Sequence, residues 1–531
     1  MKMTVISANE WVYPDVFEYA SASEFIDVHA PRSGYASAQI QVCDTKAGDQ
    51  IEVCYDGALE PECYRMLDVC VERNSNNEIW KVLEPDQPKP DYSTRKAPFP
   101  IFDILQPINQ GGNVVEKETT AFYVCWKIPA DFEPGVYTGA LTLKIGGEEA
   151  VIPVEITVHK AVVPKKKHIA VTNWYHPENV GKYQGIEMYT EEWFGELKKY
   201  YALMARTRQT HIILRMDAIG IKEEAGKYTF DFSIMEKMIR FALEYGFEKL
   251  ELGHLTIKNY VNLDKYWLFY RPEGRKIYAN SPEGYNFLAQ FLPQWVDFLQ
   301  KNGWYECSVQ HVGDEPSDGQ TEDYRIICGI VRKFMPGMKL MDAVCHTELA
   351  GSVDCWVIPT RDYQRKRQEF EAFRKLGDEL WHYTCCHPGG KWLNRFLDFE
   401  LLRPRLLHYG NYRYDLKGFL HWGFNFFQGD MDHLRAHTCS ISDDGVRLWP
   451  TGDSHISYPG NGNGPWMSIR AEQMRAGLED CELLLAIAEK DPAKADELCT
   501  NVMCAFDDYT TDVLKFEENY RCILNTADQL F

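Results

Sequence analysis

From residue 168 to 426, short apolar and β-branched runs alternate with stretches of helical periodicity. A chain with this alternation builds a mostly parallel sheet covered by helices, because each parallel crossover needs a helix-length connection. The strand-like runs are residues 168–175, 210–216, 249–255, 306–313, 339–345, 353–358, 379–385 and 418–426. Helical stretches separate most of them. In 284–299, Phe287, Phe291, Trp295 and Phe298 recur at helical spacing, and 191–204 is another such stretch. Eight strands over about 260 residues are what a (β/α)8 TIM-like barrel requires. The helix between the fifth and sixth strands is missing or very short, which predicts an irregular barrel. A doubly wound open sheet is the alternative, but no Gly-rich phosphate loop follows the first strand.

The flanks read differently. Residues 1–163 carry short strand-like runs at 51–55, 122–126 and 151–158, broken by Pro/Gly-rich turns, and predict a β-sandwich domain. Val163-Pro164-Lys165-Lys166-Lys167 reads as a linker, and 168–440 as the barrel domain. From 441 to 531 a strand-and-turn region at 446–464 precedes two amphipathic C-terminal helices. Met474, Leu478, Cys481, Leu485 and Ala488 form one helical face, and Leu498, Val502, Ala505 and Tyr509 a second; both are expected to pack on the barrel. Gly460-Asn461-Gly462-Asn463-Gly464 lacks the lysine of a phosphate cradle and reads as a surface turn.

The formal net charge is -21. Such a surface repels nucleic acid and anionic membranes, so neither is an expected partner. A neutral substrate fits better. Aromatic residues make up 13% of the chain; they suit stacking on the CH faces of sugars, and equally the packing of large cores. The 16 cysteines contain no C-x-x-C pair and often lie in apolar runs. That is the pattern of free thiols in a reducing cytosol. Cys385-Cys386-His387 is the one local Cys/His cluster, and vicinal residues rarely complete a tetrahedral zinc site, so no metal and no organic cofactor is expected. Glu10, Asp15 and Glu18 interrupt the first 20 residues, which therefore lack a signal-peptide core, and no apolar run has membrane-spanning length. A cytoplasmic location is the expectation.

The chemistry concentrates in Glu306-Cys307-Ser308-Val309-Gln310-His311-Val312-Gly313-Asp314-Glu315-Pro316. It reads as a buried strand that stops on two carboxylates and a proline. Pro316 cannot donate to a ladder and pushes Glu315 toward an extended conformation. Acidic residues at the C-terminal end of a barrel strand are where such enzymes hold their chemistry. The bland alternative is that the pair caps the next helix, as Glu191-Glu192 and Asp443-Asp444 do. Retaining glycosidases need a second carboxylate about 5–5.5 Å from the acid/base. Neither the seventh strand, ending Tyr383-Thr384-Cys385-Cys386, nor the eighth, Phe419 to Phe426, ends on one. A substrate's own 2-acetamido oxygen can replace that nucleophile. Glu315 then protonates the leaving oxygen and later deprotonates water, and Asp314 orients the acetamido N–H and steadies the cation.

Three motifs in order carry a resemblance: Trp126-Lys127-Ile128-Pro129 with Pro134-Gly135-Val136-Tyr137-Thr138-Gly139; Gly313-Asp314-Glu315-Pro316; and Tyr458-Pro459-Gly460, Ser468-Ile469-Arg470 and Met474-Arg475-Ala476-Gly477-Leu478-Glu479-Asp480. The chain resembles glycoside hydrolase family 123 and the DUF4091 group. The resemblance implies a β-sandwich before a (β/α)8-like barrel, retaining β-N-acetylgalactosaminidase activity by substrate assistance, and Asp314 and Glu315 as the catalytic pair.

Other strand-end residues are candidates for binding an oligosaccharide or glycoconjugate. Trp422 offers a sugar platform, Trp174 and Tyr175 a wall, and Tyr383 a hydroxyl for the attacking acetamido oxygen. His254, Arg361 and Asn425 are candidates for hydroxyls. For each, a packing or surface role is an equal alternative. Two rival functions stay open: a β-glycosidase for a non-acetamido sugar with an unrecognised nucleophile, and a non-catalytic carbohydrate-binding protein on a hydrolase scaffold.

Overall fold

The computed structural model describes residues 2–77, 82–258, 265–442, 445 and 447–530. Its N-terminal region is strand-rich and consists of two packed sheets. One holds Lys2–Ser7, Tyr35–Cys43, Thr120–Lys127, Glu62–Val71 and Phe99–Pro107 as antiparallel neighbours in that order. The other holds Ile26–Arg32, Glu148–Val162, Gly135–Ile145 and Ile51–Tyr55. On Thr120–Lys127 the pleat sends Phe122, Val124 and Trp126 into the core between the sheets, against Leu141, Leu143 and Ile152. Ala121, Tyr123 and Cys125 on the other face are buried too, with Leu397, Tyr458, Trp466 and Ile469. Burial on both faces is why this strand reads as a continuous apolar run.

Two strands from far down the chain extend the first sheet. Trp466–Ser468 pairs with Phe99–Pro107, and Ser457–Tyr458 pairs with Trp466–Ser468. Arg470 fastens this junction. Its buried guanidinium bonds Asp103 at 2.9 Å and the carbonyls of Arg395, Gly452 and His455. Asp103 also accepts the Tyr458 hydroxyl at 2.6 Å. Removing one member of such a pair costs about 3–5 kcal/mol, because the other charge stays buried.

The parallel strands are β1 (Ala170–Asn173), β2 (His211–Leu214), β3 (Lys249–Leu252), β4 (Ser308–Gln310), β5 (Met341–Ala343), β6 (Cys355–Pro359), β7 (Glu379–Tyr383) and β8 (Gly418–His421). They lie in two parallel sheets, ordered β1-β8-β7-β6-β5 and β2-β3-β4. At the two seams the backbone is joined at isolated points: Thr210 N–H to the Val171 carbonyl at 3.0 Å, and Gln310 N–H to the Lys339 carbonyl at 2.9 Å. The sheet is therefore a curled half-barrel with a three-stranded companion, not the continuous ladder of a regular closed barrel. Residues 344–354, between β5 and β6, contain turns and no helix.

The helix Pro282–Lys301 shows how local sequence builds the outer layer. Ser281 caps it by accepting the Gly284 N–H at 3.0 Å, Pro282 opens it, and Phe287, Phe291 and Trp295 are buried, packing on Tyr228, Phe230 and Phe232. The acidic pair Glu191-Glu192 sits in the first turn of Glu191–Arg206, capped by Thr190. Asp443, Asp444 and Val446 lie outside the described residues.

In the tail, Ile469–Ala488 is buried on nearly every side, so its charges are paired. Arg475 meets Glu472 and Glu479, and Asp480 accepts a bidentate pair from Arg405 at 2.6 and 2.9 Å. Gly477 lets the helix Leu402–Tyr414 cross closely; a Cβ there would stand 2.2 Å from the Arg405 carbonyl oxygen. The second expected helical face is only part helix. Pro492–Thr500 forms, but Ala505 and Tyr509 fall on the hairpin Met503–Ala505 with Asp508–Tyr509. The hairpin seats buried Phe506 against Tyr414, with ring centres 5.1 Å apart. Val513–Leu530 is a further helix. All sixteen cysteines are free thiols, and no described helix is long and apolar enough to cross a membrane.

Candidate active site

β4 stops at Gln310 and the chain continues as His311, Val312, Gly313, Asp314 and Glu315. Gly313 is needed here: a Cβ would stand 2.7 Å from Thr256 Oγ1 and 2.8 Å from the Tyr266 ring. Glu315 adopts a φ of 42°, left-handed and uncommon for a residue with a side chain. That turn breaks the strict alternation of a strand. Both sides of the residue are held. The Glu315 N–H donates to the Ala343 carbonyl at 3.1 Å, and its carbonyl accepts from Lys258 Nζ at 2.6 Å. A sparsely populated conformation persists only where its surroundings enforce it, and such positions cluster at functional sites.

Beneath the pair lies a charged cluster drawn from β3, β5 and the residue that follows β4. His311 is fully buried between two carboxylates, with Nδ1 3.0 Å from Asp342 and Nε2 3.0 Å from Glu251. Burial opposes its charge, but these bonds outweigh burial and push His311 up to about 10. It is an imidazolium donating from both nitrogens. Asp342 Oδ2 also accepts the N–H groups of Val312 and Gly313 and the Tyr324 hydroxyl. The side chain of β5 thus fixes the backbone that presents Asp314. Burial and then the neighbouring Glu315 carboxylate raise Asp314 to about 7.

Glu315 faces the end of β7. The Tyr383 hydroxyl donates to its Oε1, and Cys345 Sγ lies 3.6 Å from the same hydroxyl. Glu315, Cys385 and His387 have polar atoms within 4.8 Å of one another. His387 is buried; burial disfavours its charge, yet Cys385 and Glu315 raise it to about 9.

Trp174 and His254 join this cluster. Trp174 donates from Nε1 to Glu251 at 2.9 Å and packs edge-on against His254. Burial and the charge of His311 drive His254 well below the usual histidine range, so it is neutral. Trp422 donates to Asp453 at 3.1 Å and joins Trp449, Phe426 and His176 in a half-buried aromatic group. Arg361 is half-buried, 3.5 Å from Asp362, and its charge reaches His387.

Two expected residues are placed elsewhere. Tyr175 follows Trp174 but points the opposite way, as strand alternation dictates, and its hydroxyl meets Tyr201 of the helical layer at 3.2 Å. Asn425 is fully buried with its amide already engaged: Oδ1 accepts the His176 N–H at 2.7 Å and Nδ2 donates to the His176 carbonyl at 3.2 Å. It fastens two loops and is fully buried, out of reach of a sugar hydroxyl.

Sequence reasoning passed over Glu251, His311 and Asp342. Their signal was present: a carboxylate inside each of two otherwise buried apolar strands, Leu250-Glu251-Leu252 and Met341-Asp342-Ala343, is rarely tolerated without a partner. Cation-holding geometry occurs in two described groups, His254-His311-Asp342 and Glu315-Cys385-His387.

A family model for the glycoside hydrolase 123 catalytic domain matches residues 174–487. Over 100% of this chain and 98% of its own, a family 123 glycoside hydrolase from Clostridium perfringens superposes with a TM-score of 0.73 at 14% identity. An endo-β-1,4-mannanase from Thermotoga petrophila matches with a TM-score of 0.36 and 12% identity, covering 60% of this chain and 77% of that one. A GH10 xylanase from Thermobacillus composti reaches a TM-score of 0.34 at 10% identity, covering 58% and 97%. Among curated proteins none matches.

Proposed function

The chain belongs to glycoside hydrolase family 123, and from that premise we propose that it removes a terminal β-linked N-acetylhexosamine, foremost N-acetylgalactosamine, with retention and by substrate assistance. The observation that carries this reading is the pairing at the end of β4. Asp314 and Glu315 stand adjacent there, and the end of β7 offers Glu315 a tyrosine hydroxyl where a nucleophilic carboxylate would otherwise be sought.

In this reading the 2-acetamido oxygen attacks the anomeric carbon while Glu315 gives its proton to the departing glycosidic oxygen. Asp314 accepts the acetamido N–H and balances the positive charge of the bicyclic intermediate. Water, deprotonated by Glu315, then opens that intermediate, and two inversions leave net retention. The proton must reach Glu315 first. In the free site Asp314, raised to about 7, holds a proton near neutrality. An N–H donated to Asp314 favours its ionised form, so substrate binding itself releases that proton within the site. Trp422 and Trp174 supply the sugar-facing aromatic surface, Tyr383 and Arg361 polar contacts, and the eight parallel strands act as one (β/α)8-like catalytic unit over 168–440, between a sandwich (1–163) and a helical tail (441–531). The Clostridium perfringens enzyme is described as acting on glycolipid glycans, which makes a glycolipid headgroup a substrate class to include.

The test is a panel of aryl β-glycosides differing only at C2. Turnover of the N-acetylgalactosaminide and none of the galactoside is expected. Equal rates on both would overturn substrate assistance in favour of a non-acetamido β-glycosidase, and binding without hydrolysis of any member would indicate a carbohydrate-binding protein.

A further inference from the structure

We propose that Glu315, Cys385 and His387 form a binding site for a thiophilic divalent cation of the zinc class, whose occupancy silences the enzyme. The three residues offer one carboxylate oxygen, one thiol sulfur and one imidazole nitrogen, all within 4.8 Å of each other. That is the mixed O/S/N donor set a borderline-soft cation selects. Around tetrahedral zinc, with bonds of about 2.0–2.3 Å, donor atoms sit roughly 3.3–3.7 Å apart, so side-chain movements of about 1 Å close the site. A water molecule would complete the tetrahedron.

A second observation points the same way. His387 is 5% exposed, and its Nδ1 has no hydrogen-bond partner. A buried, unsatisfied imidazole nitrogen carries a desolvation cost that a metal bond would remove. The other cluster, His254-His311-Asp342, also holds an orphaned nitrogen, His254 Nε2, but its other two members are already engaged. Both His311 nitrogens donate to carboxylates, and Asp342 Oδ2 already accepts three hydrogen bonds. Its acceptors are spoken for, whereas Glu315 is engaged at Oε1 by the Tyr383 hydroxyl and Cys385 Sγ makes a weak 3.9 Å contact with Cys386 Sγ.

Inhibition rests on the role given to Glu315 above: a carboxylate bound to a cation cannot deliver a proton. Binding itself does not depend on that role. Cobalt(II) is added to the full chain under a thiol-free reductant, and thiolate-to-cobalt charge-transfer and visible ligand-field bands are recorded without substrate. The wild type should show both at one equivalent, and zinc should displace them. Cys385→Ser should lose the charge-transfer band, while Cys386→Ser keeps it. With substrate present, and each protein referred to its own metal-free rate, Cys385→Ser should need at least about tenfold more zinc for half-inhibition than the wild type. A band that survives in Cys385→Ser, or equal zinc sensitivity in the two proteins, would place the cation elsewhere and overturn the proposal. Absence of hydrolysis in the wild type would count against the glycosidase reading alone, because the cobalt spectrum still decides the site.

Discussion

Asp314→Asn should make the protein more stable while removing its activity. The folded site keeps the Asp314 proton up to about 7, whereas an unfolded aspartate releases it near 3.8. Between those values the folded state binds more protons than the unfolded state, so wild-type stability falls as pH rises through that window. The full displacement corresponds to roughly 4 kcal/mol at 1.36 kcal/mol per pH unit. Solvent at the half-open mouth screens part of this, leaving about 2 kcal/mol. Asparagine never ionises and escapes that loss. Near pH 4 the variant and wild type should melt together; near pH 8 the variant should melt higher by about 5 °C, given some 2–4 °C per kcal/mol in units of this size. Melts at matched scan rates across this range, with hydrolysis measured on the same samples, provide the assay. A stability difference independent of pH, or a variant that weakens relative to wild type as pH rises, would refute the argument. Full activity in a stabilised variant would refute the role of Asp314 in steadying the cation.

Glu315→Gln should lower turnover of unactivated glycosides by about 10²–10⁴, with a smaller loss for very acidic leaving groups, as read from steady-state rates on both substrate types. A thiazoline analogue of the bicyclic intermediate should inhibit strongly, and a 2-fluoro sugar should leave no adduct on any Asp or Glu by mass spectrometry, because no protein carboxylate attacks. His311→Ala should cost about 3–5 kcal/mol in denaturant unfolding, because it strands the buried Glu251 and Asp342 carboxylates. His311 is raised from 6.5 to about 10, so its contribution is complete below about pH 6.5 and disappears as pH climbs through 10; the variant should lack that decline.

Local pattern carried a large part of this protein in its sequence. Period-2 runs and 3.6-residue stripes announced the strand–helix alternation, and Phe287, Phe291 and Trp295 announced the outer helix face, because those periods are properties of one element alone. Gly313-Asp314-Glu315-Pro316 marked a strand end for the same local reason. What meets what across elements is a different kind of fact. It depends on the stagger between strands, which no single strand encodes. Tyr383 reaches Glu315 only because the fold brings the last residue of β7 beside the chain that leaves β4. Glu251, His311 and Asp342 lie on β3, just beyond β4 and on β5, some 30–60 positions apart, and only tertiary packing joins them into one charged cluster. Neighbours also diverge: Trp174 turns toward the cluster and Tyr175 toward the helical layer, so a tag of "strand end" could not tell them apart. The tail shows the limit most plainly. Ser468-Ile469-Arg470 was visible as a motif, but that its strand completes the N-terminal sheet, and that Arg470 neutralises Asp103 some 367 residues away, follows from burying two charges together, a condition set by the folded whole.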